Sequence, residues 1–489
     1  MRFTTSQGAS AHRLAGRRWP RVVMLATAVL MTPQAVLAET LRQSMASAYQ
    51  NNPRLDAERA RLRATDEEVP RAKSGFRPQI NGSLDAGRQR VGTDPKTTSD
   101  GESNPWGYAV TVTQSVFSGF RTVHAVSEAE ATVRAGRETL RSVEQQVLLE
   151  SVTAYCDVVR DQGLVRLREA HVGVLSRELA GVRERRSVRE VTRTDVAQTE
   201  ARRARAVSAL DAIRASLKSS RAQFEKVVGR APGPLAPPTP PSKIMPRSLE
   251  EALAVGEKES PLLLGAVYRE QAARFTVDRI RGELLPEVRV EARLDQRHEP
   301  SRTLQEQEVA TITGRVNIPL YEGGDTHARV RQSKHTHVSR LQEIEQARLE
   351  VHAAVTQAWS RYGASRAQLK SDLAGVEAAR VALEGVREEE KAGQRTQLDI
   401  LNAEQELLDA QIQLTGTRRD LIVAAYTLLA QMGRLTSAEL GLTDSAYDPV
   451  AHYEEVRSKW FGLDVMRPDG RTERVDVTIE GDPEWLIDD

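Results

Sequence analysis

Two short polar segments with the same order of residue types could place an acidic side chain at the start of a helix. They read TRTDVAQTE at 192–200 and TQLDILNAE at 396–404. Asp195 falls on Asp399 at an offset of 204 residues (399 − 195 = 204). A carboxylate at such a position stabilises the positive end of a helix. Where copies of a chain meet, it can also form a ring of like charge that favours cations.

No group of residues in the sequence predicts catalysis or a cofactor site. The sequence contains no G-x-S-x-G, H-E-x-x-H or P-loop pattern. His335 and His337 stand two apart and would not face each other on a helix, so with His327 they predict a solvated face and not a metal site. The basic segments 183–193 and 201–206 lack stacking aromatic residues, which argues against nucleic-acid binding. We therefore expect a protein without enzymatic activity, cofactor, metal or nucleic-acid partner.

The composition predicts long helices that pack along narrow seams. Of the 489 residues, 28% are charged and only 4% are aromatic, and long stretches consist of Ala, Arg, Glu, Gln, Leu and Val. A net charge of +1 gives no reason to expect a nucleic-acid partner. The single cysteine, Cys156, lies in an apolar helical stretch and is predicted to be a core residue.

The N-terminus predicts export. Arginines precede the apolar segment VVMLATAVL at 22–30, and AVLA ends at Ala38 with small residues at a candidate cleavage site. Residues 1–38 are therefore interpreted as a signal peptide. No other stretch approaches the roughly 20 apolar residues of a membrane helix. If the mature chain crosses a membrane, we expect it to do so as strands.

The remainder of the chain is a duplication. Pro53 and Pro78 of the first copy fall on Pro261 and Pro286 of the second, at an offset of 208 (261 − 53 = 208). Later matches have the offset 204, so the first copy is four residues longer in between (208 − 204 = 4), where we expect an exposed loop. The predicted parts are a first repeat, a Pro-rich linker, a second repeat and a C-terminal segment: 39–230, 231–247, 248–440 and 441–489.

Each repeat predicts a first helix, two strands around a polar loop, a very long helix, a short break and a closing helix. The predicted helices are 40–73, 121–186 and 195–228 in the first repeat, and 248–283, 325–391 and 398–433 in the second. At 1.5 Å per residue the longest would reach on the order of 100 Å. Helices of that length cannot wrap around a compact core, so they must pack side by side.

The predicted strands alternate between apolar and polar residues. The alternation is clear in EVRVEARLD (287–295) and ATITGRVNIPL (310–320), and weaker around 80–84 and 108–116. It indicates either a half-buried sheet in a soluble protein or a membrane barrel with a polar lumen. Four strands cannot close a barrel, and open strand edges are not tolerated in lipid. A barrel would therefore need several chains, and three would supply about twelve strands.

These features resemble the TolC-type outer-membrane channels of Gram-negative bacteria. The resemblance covers residues 39–442 and rests on the order, duplication and spacing of NNPRL, FRPQI, QSVFSGF, LLPEV, VNIPLYEGG and GQRTQLDILNAE. It implies a mixed α/β homotrimer, with a shared transmembrane β-barrel of four strands per chain joined to a long antiparallel α-helical barrel. It also implies an export conduit in the outer membrane that extends into the periplasm. Its implied partners are a periplasmic adaptor and an inner-membrane pump of the ABC or RND type.

The resemblance assigns the two opening segments to the periplasmic tip, where helical hairpins close the tunnel. It implies that Arg395 pairs with Thr194 and Asp195 of a neighbouring protomer. It also implies that Asp399 belongs to an acidic ring that lines the constriction. Arg395 is expected to act as a lock on the closed tip.

Two positions depart from the family pattern. Asn402 stands where the pattern has a second acidic ring, and Glu390 stands where it has a gate tyrosine. The hydrogen bonding of the gate and its cation selectivity are therefore expected to differ in detail. Asp399, Asn402 and Glu406 would share one helical face. The alternative for Asp195 and Asp399 is that they only stabilise the starts of helices.

Three questions stay open at the level of sequence. A periplasmic coiled-coil adaptor or structural protein is the alternative to a channel, although duplicated hairpins and alternating strands favour the channel. Type I protein secretion and multidrug efflux are both compatible with it, and YDPVAHYEEVRSKWFG (447–462) resembles the type I branch. The segment 441–489 could lie along an equatorial belt, and no strand is expected there, because the last predicted strand ends near Leu320.

Overall fold

A computed structural model describes residues 38–443, 446–466 and 472–473. The predicted signal peptide, apart from Ala38, lies outside these described residues, as does most of the chain beyond residue 466. The described part forms one compact unit that begins at Ala38. Its helices and strands occur in the same order in both repeats.

The first repeat consists of α1 (Leu41–Asn51), α2 (Pro53–Asp66), α3 (Glu68–Lys73), β1 (Gln79–Ala86), β2 (Gln89–Val91), β3 (Gly101–Ser103), β4 (Trp106–Phe117), α4 (Arg121–Ser187) and α5 (Arg193–Val228). The second repeat consists of α6 (Leu249–Glu259), α7 (Pro261–Arg281), β5 (Glu287–Ser301), β6 (Leu304–Asn317), α8 (Asp325–Lys391) and α9 (Gln397–Gln431). The C-terminal segment adds α10 (Ala451–Val456), β7 (Val465–Met466) and β8 (Thr472–Glu473).

Each repeat begins with a broken helix where the sequence predicted a continuous one. Asn52, between α1 and α2, is extended (φ −80°, ψ 117°), and its side chain caps α2. Ser260 occupies the same place between α6 and α7. Both residues precede a proline, which disfavours the α conformation before it and offers no N–H to the preceding turn. The predictions of unbroken helices at 40–73 and 248–283 were wrong for this local reason.

The predicted bounds of the two long helices are confirmed to within one residue. α4 and α8 each contain 67 residues, which corresponds to about 100 Å. α4 packs against α5 as one helical hairpin and α8 packs against α9 as a second. α4 also contacts α7 and α9, so the two hairpins lie side by side as the lengths of the helices require.

The main core lies at the middle of α4, where this helix meets α1, α5 and α9. Tyr155 and Phe224 are fully buried there, with their ring centroids 6.4 Å apart. Cys156 is 1% exposed in the same cluster, and burial raises the pKa of its thiol to about 12. The prediction of Cys156 as a core residue is therefore confirmed.

The four long strands form one antiparallel sheet in the order β1-β4-β5-β6. The register places Val110 opposite Leu294 and Leu294 opposite Ala310, so the apolar residues of successive strands form one continuous face. Thr111, Arg293 and Thr311 are paired in the same way on the opposite, polar face. The alternation predicted for 287–295 and 310–320 is thus preserved in the sheet, whereas beyond Leu294 and Ala310 the same face continues with polar residues such as Gln296 and Glu308. β1 and β6 form its two open edges.

The strands differ from the prediction in three places. β5 continues beyond 295 to Ser301 and β6 begins before 310 at Leu304, so most of the polar loop predicted between them is strand. β6 ends at Asn317 and not near Leu320, because Pro319 cannot donate a ladder hydrogen bond. β2 and β3 pair with each other inside the loop between β1 and β4, which is the longer segment of the first copy.

The C-terminal segment contains strands that the sequence did not predict. β7 and β8 are antiparallel, with Val465 opposite Glu473 and Met466 opposite Thr472. Each has two residues, which is too short to show alternation in the sequence. The expectation of no strand in this segment was therefore wrong.

In the part of the chain that the structure describes, no helix has the length and apolar character needed to cross a membrane.

Candidate functional site

The tip of the first hairpin is organised by a capping box at the start of α5. Thr192 is the N-cap residue, and Asp195 is the third residue of the helix. The Asp195 backbone N–H donates to Thr192 Oγ1 over 3.2 Å. The backbone N–H and the hydroxyl of Thr192 both donate to Asp195 Oδ2 over 2.8 Å. The recurring Thr and Asp thus hold the same backbone turn from both sides.

The tip of the second hairpin repeats this arrangement at the start of α9. The Thr396 N–H and hydroxyl donate to Asp399 Oδ2 over 2.9 and 2.8 Å, and the Asp399 N–H donates back to Thr396 Oγ1 over 3.4 Å. Hydrogen bonds from Thr396 lower the pKa of Asp399, as those from Thr192 lower the pKa of Asp195. The helix-stabilising role of both aspartates is therefore shown. In each case the cap bonds reach one oxygen, Oδ2, so that role does not exclude a second one.

The recurring glutamate closes each hairpin across its two helices. Arg183 of α4 donates to Glu200 of α5 over 2.6 Å. Arg387 of α8 donates to Glu404 of α9 over 2.7 Å. Both the arginines and the glutamates are related by the repeat offset (387 − 183 = 204, 404 − 200 = 204). The third residue that recurs in both segments, the glutamate, thus belongs to an ion pair that also recurs.

The two hairpins of one chain are joined near their tips by Arg185. Its guanidinium Nη2 donates to Gln397 Oε1 over 2.9 Å, and its Nη1 lies 3.7 Å from Glu390 Oε1. Gln397 in turn donates from Nε2 to Glu178 Oε2 over 2.8 Å. The predicted gate residue Glu390 therefore contacts the other hairpin of its own chain through an ion pair.

The sequence-based prediction did not include Arg185, which joins the two hairpin tips. Its signal was present as a charge reversal between the repeats. Arg185 and Arg186 of the first tip fall on Glu389 and Glu390 of the second (389 − 185 = 204). Opposite charges at equivalent positions of two neighbouring hairpins favour contact between them.

Asn402 is the second predicted residue that bridges the hairpins. Its Oδ1 accepts a hydrogen bond from Arg202 Nη2 over 2.8 Å. Arg202 lies on α5 and Asn402 on α9, so this contact runs parallel to that of Arg185. Asn402, which stands where the family pattern has an acidic residue, thus serves as a neutral acceptor for an arginine of the same chain.

Arg395 and Thr194 are exposed at the ends of the two hairpins. Arg395 Nε donates to Glu389 Oε2 over 2.8 Å, and this hydrogen bond raises the pKa of the guanidinium. Among the described residues of a single chain, Arg395 makes no ion pair with Asp195. The structure therefore brings Glu390 and Asn402 into contacts between hairpins, and leaves Arg395, Thr194 and Asp399 at the surface of the tips.

Comparison with known proteins matches both repeats to one family. The family model described as outer membrane efflux protein matches residues 45–230 and 256–434. The outer membrane efflux protein BepC of Brucella suis is 39% identical over 450 residues, which cover 92% of this chain and 96% of that relative. The alkaline protease secretion protein AprF of Pseudomonas aeruginosa is 27% identical over 318 residues, 62% of this chain and 65% of AprF.

A solved structure shows the same fold. The CmeC outer membrane channel of Campylobacter jejuni superimposes with a TM-score of 0.74 at 12% identity, over 86% of this chain and 89% of CmeC. The family match spans most of the described chain, and both the family and the relative BepC are described as outer membrane efflux proteins. These findings decide for an outer-membrane channel and against a periplasmic adaptor. The chain belongs to the outer membrane efflux protein family, the TolC-type channels that its duplicated motifs predicted.

Proposed function

We propose that three copies of this chain assemble into an export duct that runs from the periplasm through the outer membrane. The observation that carries this proposal is the four-stranded sheet with two open edges, β1 and β6. Its apolar face is exposed in one chain, with Ile312 at 80% and Leu84 at 89%. Unpaired backbone groups are not tolerated in lipid. Three sheets joined edge to edge would close a barrel of twelve strands (3 × 4 = 12).

We also propose that the hairpin tips form the periplasmic gate. The contacts of Arg185 and Arg202 would hold the two hairpins of one protomer together, while Arg395 would reach the neighbouring protomer. In the described residues the ion pair of Arg395 with Glu389 uses Nε, so both Nη groups remain available to Thr194 and Asp195 of a neighbour. Asp399 of three protomers would then form a ring of negative charge that favours cations.

The duct would act with a periplasmic adaptor and an inner-membrane pump, and without catalysis of its own. The pump would be of the ABC or RND type. Two substrate classes have support, since one relative is named an efflux protein and another a protease secretion protein. We expect the partner pump, and not this chain, to select between them.

Outer-membrane fractions on unheated and heated denaturing gels test the assembly. A trimer that dissociates on heating supports the proposal, and a monomer in both lanes contradicts it. Planar bilayer recordings of the purified trimer then test the duct, for which we expect single-channel currents. A gene deletion assayed in parallel for secreted proteins and for drug sensitivity would identify the substrate class.

A further inference from the structure

The C-terminal segment follows the first repeat from the core towards the sheet. At its start the Tyr447 N–H donates to Tyr49 Oη over 3.1 Å, on α1. Further along, His452 Nδ1 lies 3.1 Å from Oδ2 of the fully buried Asp66, at the end of α2. Successive residues of the C-terminal segment therefore contact successive helices of the first repeat.

The next contacts carry the segment to the base of β1. Lys73 Nζ, at the end of α3, donates to the Arg457 carbonyl over 3.1 Å. Arg77 Nη1 donates to the Lys459 carbonyl over 2.9 Å, and its guanidinium carbon lies 4.7 Å from the centre of the Trp460 ring. Arg77 is two residues before the start of β1 at Gln79. Trp460 is thus fixed where the helices give way to the sheet.

At this point the chain turns back and exposes a run of apolar side chains. Gly462 has a positive φ of 112°, which suits a tight turn. Lys459 Nζ donates to the Asp464 carbonyl over 3.4 Å across the turn. We name residues 460–463 (Trp-Phe-Gly-Leu) the apex loop. Its large side chains are more than half exposed: Trp460 58%, Phe461 86% and Leu463 59%.

Other exposed apolar side chains lie at the same junction between helices and strands. Phe76 precedes β1 and is 53% exposed, Phe120 follows β4 and is 55% exposed, and Leu285 precedes β5 and is 43% exposed. Tyr321, after β6, is 86% exposed. Aromatic side chains at the ends of membrane strands sit at the level of the lipid headgroups. Arg77, which contacts Trp460, directly follows Phe76 in the chain and so links the apex loop to this group.

We propose that the apex loop inserts into the periplasmic leaflet of the outer membrane and anchors the C-terminal segment to it. This inference rests on the proposed membrane-spanning role of the sheet. Trp and Phe favour the interface between headgroups and acyl chains. Lys73 and Lys459 beside the loop donate to backbone carbonyls and make no ion pair with the described residues. Their charges suit the phosphates of the lipid headgroups.

The polarity of the two faces of the sheet argues for a position of the loop outside the duct. The lumen face of the strands carries charged and polar residues such as Arg293 and Thr311, whereas the opposite face is apolar. An exposed Trp-Phe pair in a water-filled lumen would leave apolar surface in water. On the outer side the same surface is transferred into lipid, which is favourable by roughly 25 cal/mol per Å².

Spin labels in the reconstituted full-length protein test the insertion. The background is Cys156→Ala, and the label is attached at Phe461→Cys. Ile312→Cys serves as a control for the apolar face of the sheet and Thr313→Cys for its polar face. Ala451→Cys, exposed at the start of α10, controls for the lower part of the C-terminal segment. Accessibility to oxygen, which partitions into lipid, is compared with accessibility to a water-soluble nickel chelate.

We expect the Phe461 label to favour oxygen, as the Ile312 label does, and the Ala451 label to favour the nickel chelate. A Phe461 label that favours the chelate, or one that neither reagent reaches because protein covers it, would overturn the anchor. If the Ile312 and Thr313 labels do not differ in their relative accessibility to oxygen and to the chelate, the proposed membrane-spanning role of the sheet is contradicted. This outcome is distinct from failure of the anchor.

A second measurement avoids the cysteine variants. Brominated acyl chains quench the fluorescence of nearby tryptophan residues. Vesicles that contain them should therefore quench the tryptophan fluorescence of the wild-type protein more than that of the Trp460→Phe variant. Equal quenching of the two proteins would contradict insertion.

Discussion

Arg185 of the first hairpin donates a hydrogen bond to Gln397 of the second, across 212 residues of sequence and 2.9 Å of space. The same guanidinium is 3.7 Å from Glu390. One side chain thus joins the two hairpin tips of a protomer, at the end of helices about 100 Å long. Together with the Arg202–Asn402 hydrogen bond and the small buried cluster of Leu175, Ala206 and Leu401, this link sets how closely the two hairpins lie together away from the main core.

Replacing Arg185 should loosen the gate. In Arg185→Ala the hydrogen bond to Gln397 and the ion pair with Glu390 are lost, which should cost about 1 kcal/mol per protomer for a partly exposed pair. We expect a higher single-channel conductance in planar bilayers. Arg177→Ala is the matched control, since it removes an exposed arginine of the same helix that makes no ion pair with the described residues. Wild-type conductance in Arg185→Ala would show that the link does not restrain the tips.

Replacing Arg395 should open the gate by a different route, between protomers. Arg395→Ala should raise single-channel conductance because the proposed contact with Thr194 and Asp195 of the neighbour is removed. Lys391→Ala is the control: it takes the same charge from the same exposed turn, where Lys391 pairs with Glu388 over 2.7 Å. If both variants conduct alike, the effect is one of net charge and Arg395 is no lock.

The proposed ring of Asp399 carboxylates should keep its charge in mild acid. Hydrogen bonds from the Thr396 backbone and hydroxyl lower the pKa of Asp399 below its ordinary value of 3.8. A carboxyl with a lowered pKa stays ionised until the pH falls through that lowered value. Repulsion among the three carboxylates of the ring acts in the opposite direction and raises their pKa. We expect the cap bonds to prevail, so that reversal potentials show the same cation selectivity at pH 7 and pH 5, and a loss of selectivity already at pH 5 would contradict this.

Asp399→Asn supplies the control for this pH dependence. The amide oxygen can still accept the cap bonds, but the charge is absent at every pH. We expect weaker cation selectivity at pH 7 without loss of the trimer. Unchanged selectivity in Asp399→Asn would restrict Asp399 to its role in the capping box.

Charge on the apolar face of the sheet should block assembly in the membrane. Ile312→Lys places an ammonium group on a face predicted to contact lipid, at a cost of roughly 2–4 kcal/mol near the bilayer centre. The yield of heat-modifiable trimer should fall accordingly. Thr313→Lys, one residue later and on the polar face, should assemble normally. If Ile312→Lys assembles and Thr313→Lys does not, the polar face contacts lipid and the apolar face lines the lumen, contrary to the proposal.

Much of the fold could be predicted because its signals are local. Alternation along 287–295 and 310–320 defined the faces of the sheet, and the register of four strands preserved them. Asp195 and Asp399 could be expected at helix starts, since each acts on a threonine only three residues away. Even the helix breaks at Asn52 and Ser260 follow from the next residue, a proline, and could have been predicted.

The contacts that join distant parts of the chain were decided by the tertiary structure. Arg185 is one of several arginines at the first tip, and only the packing of α4 beside α9 selects it as the partner of Gln397. Likewise Arg77 meets Trp460 because the C-terminal segment folds back along the first repeat. Sequence therefore determined the repeats, the strand faces and the caps, which depend on neighbours in the chain. The links between hairpins and the apex loop depend on which surfaces meet in space, which no local pattern records.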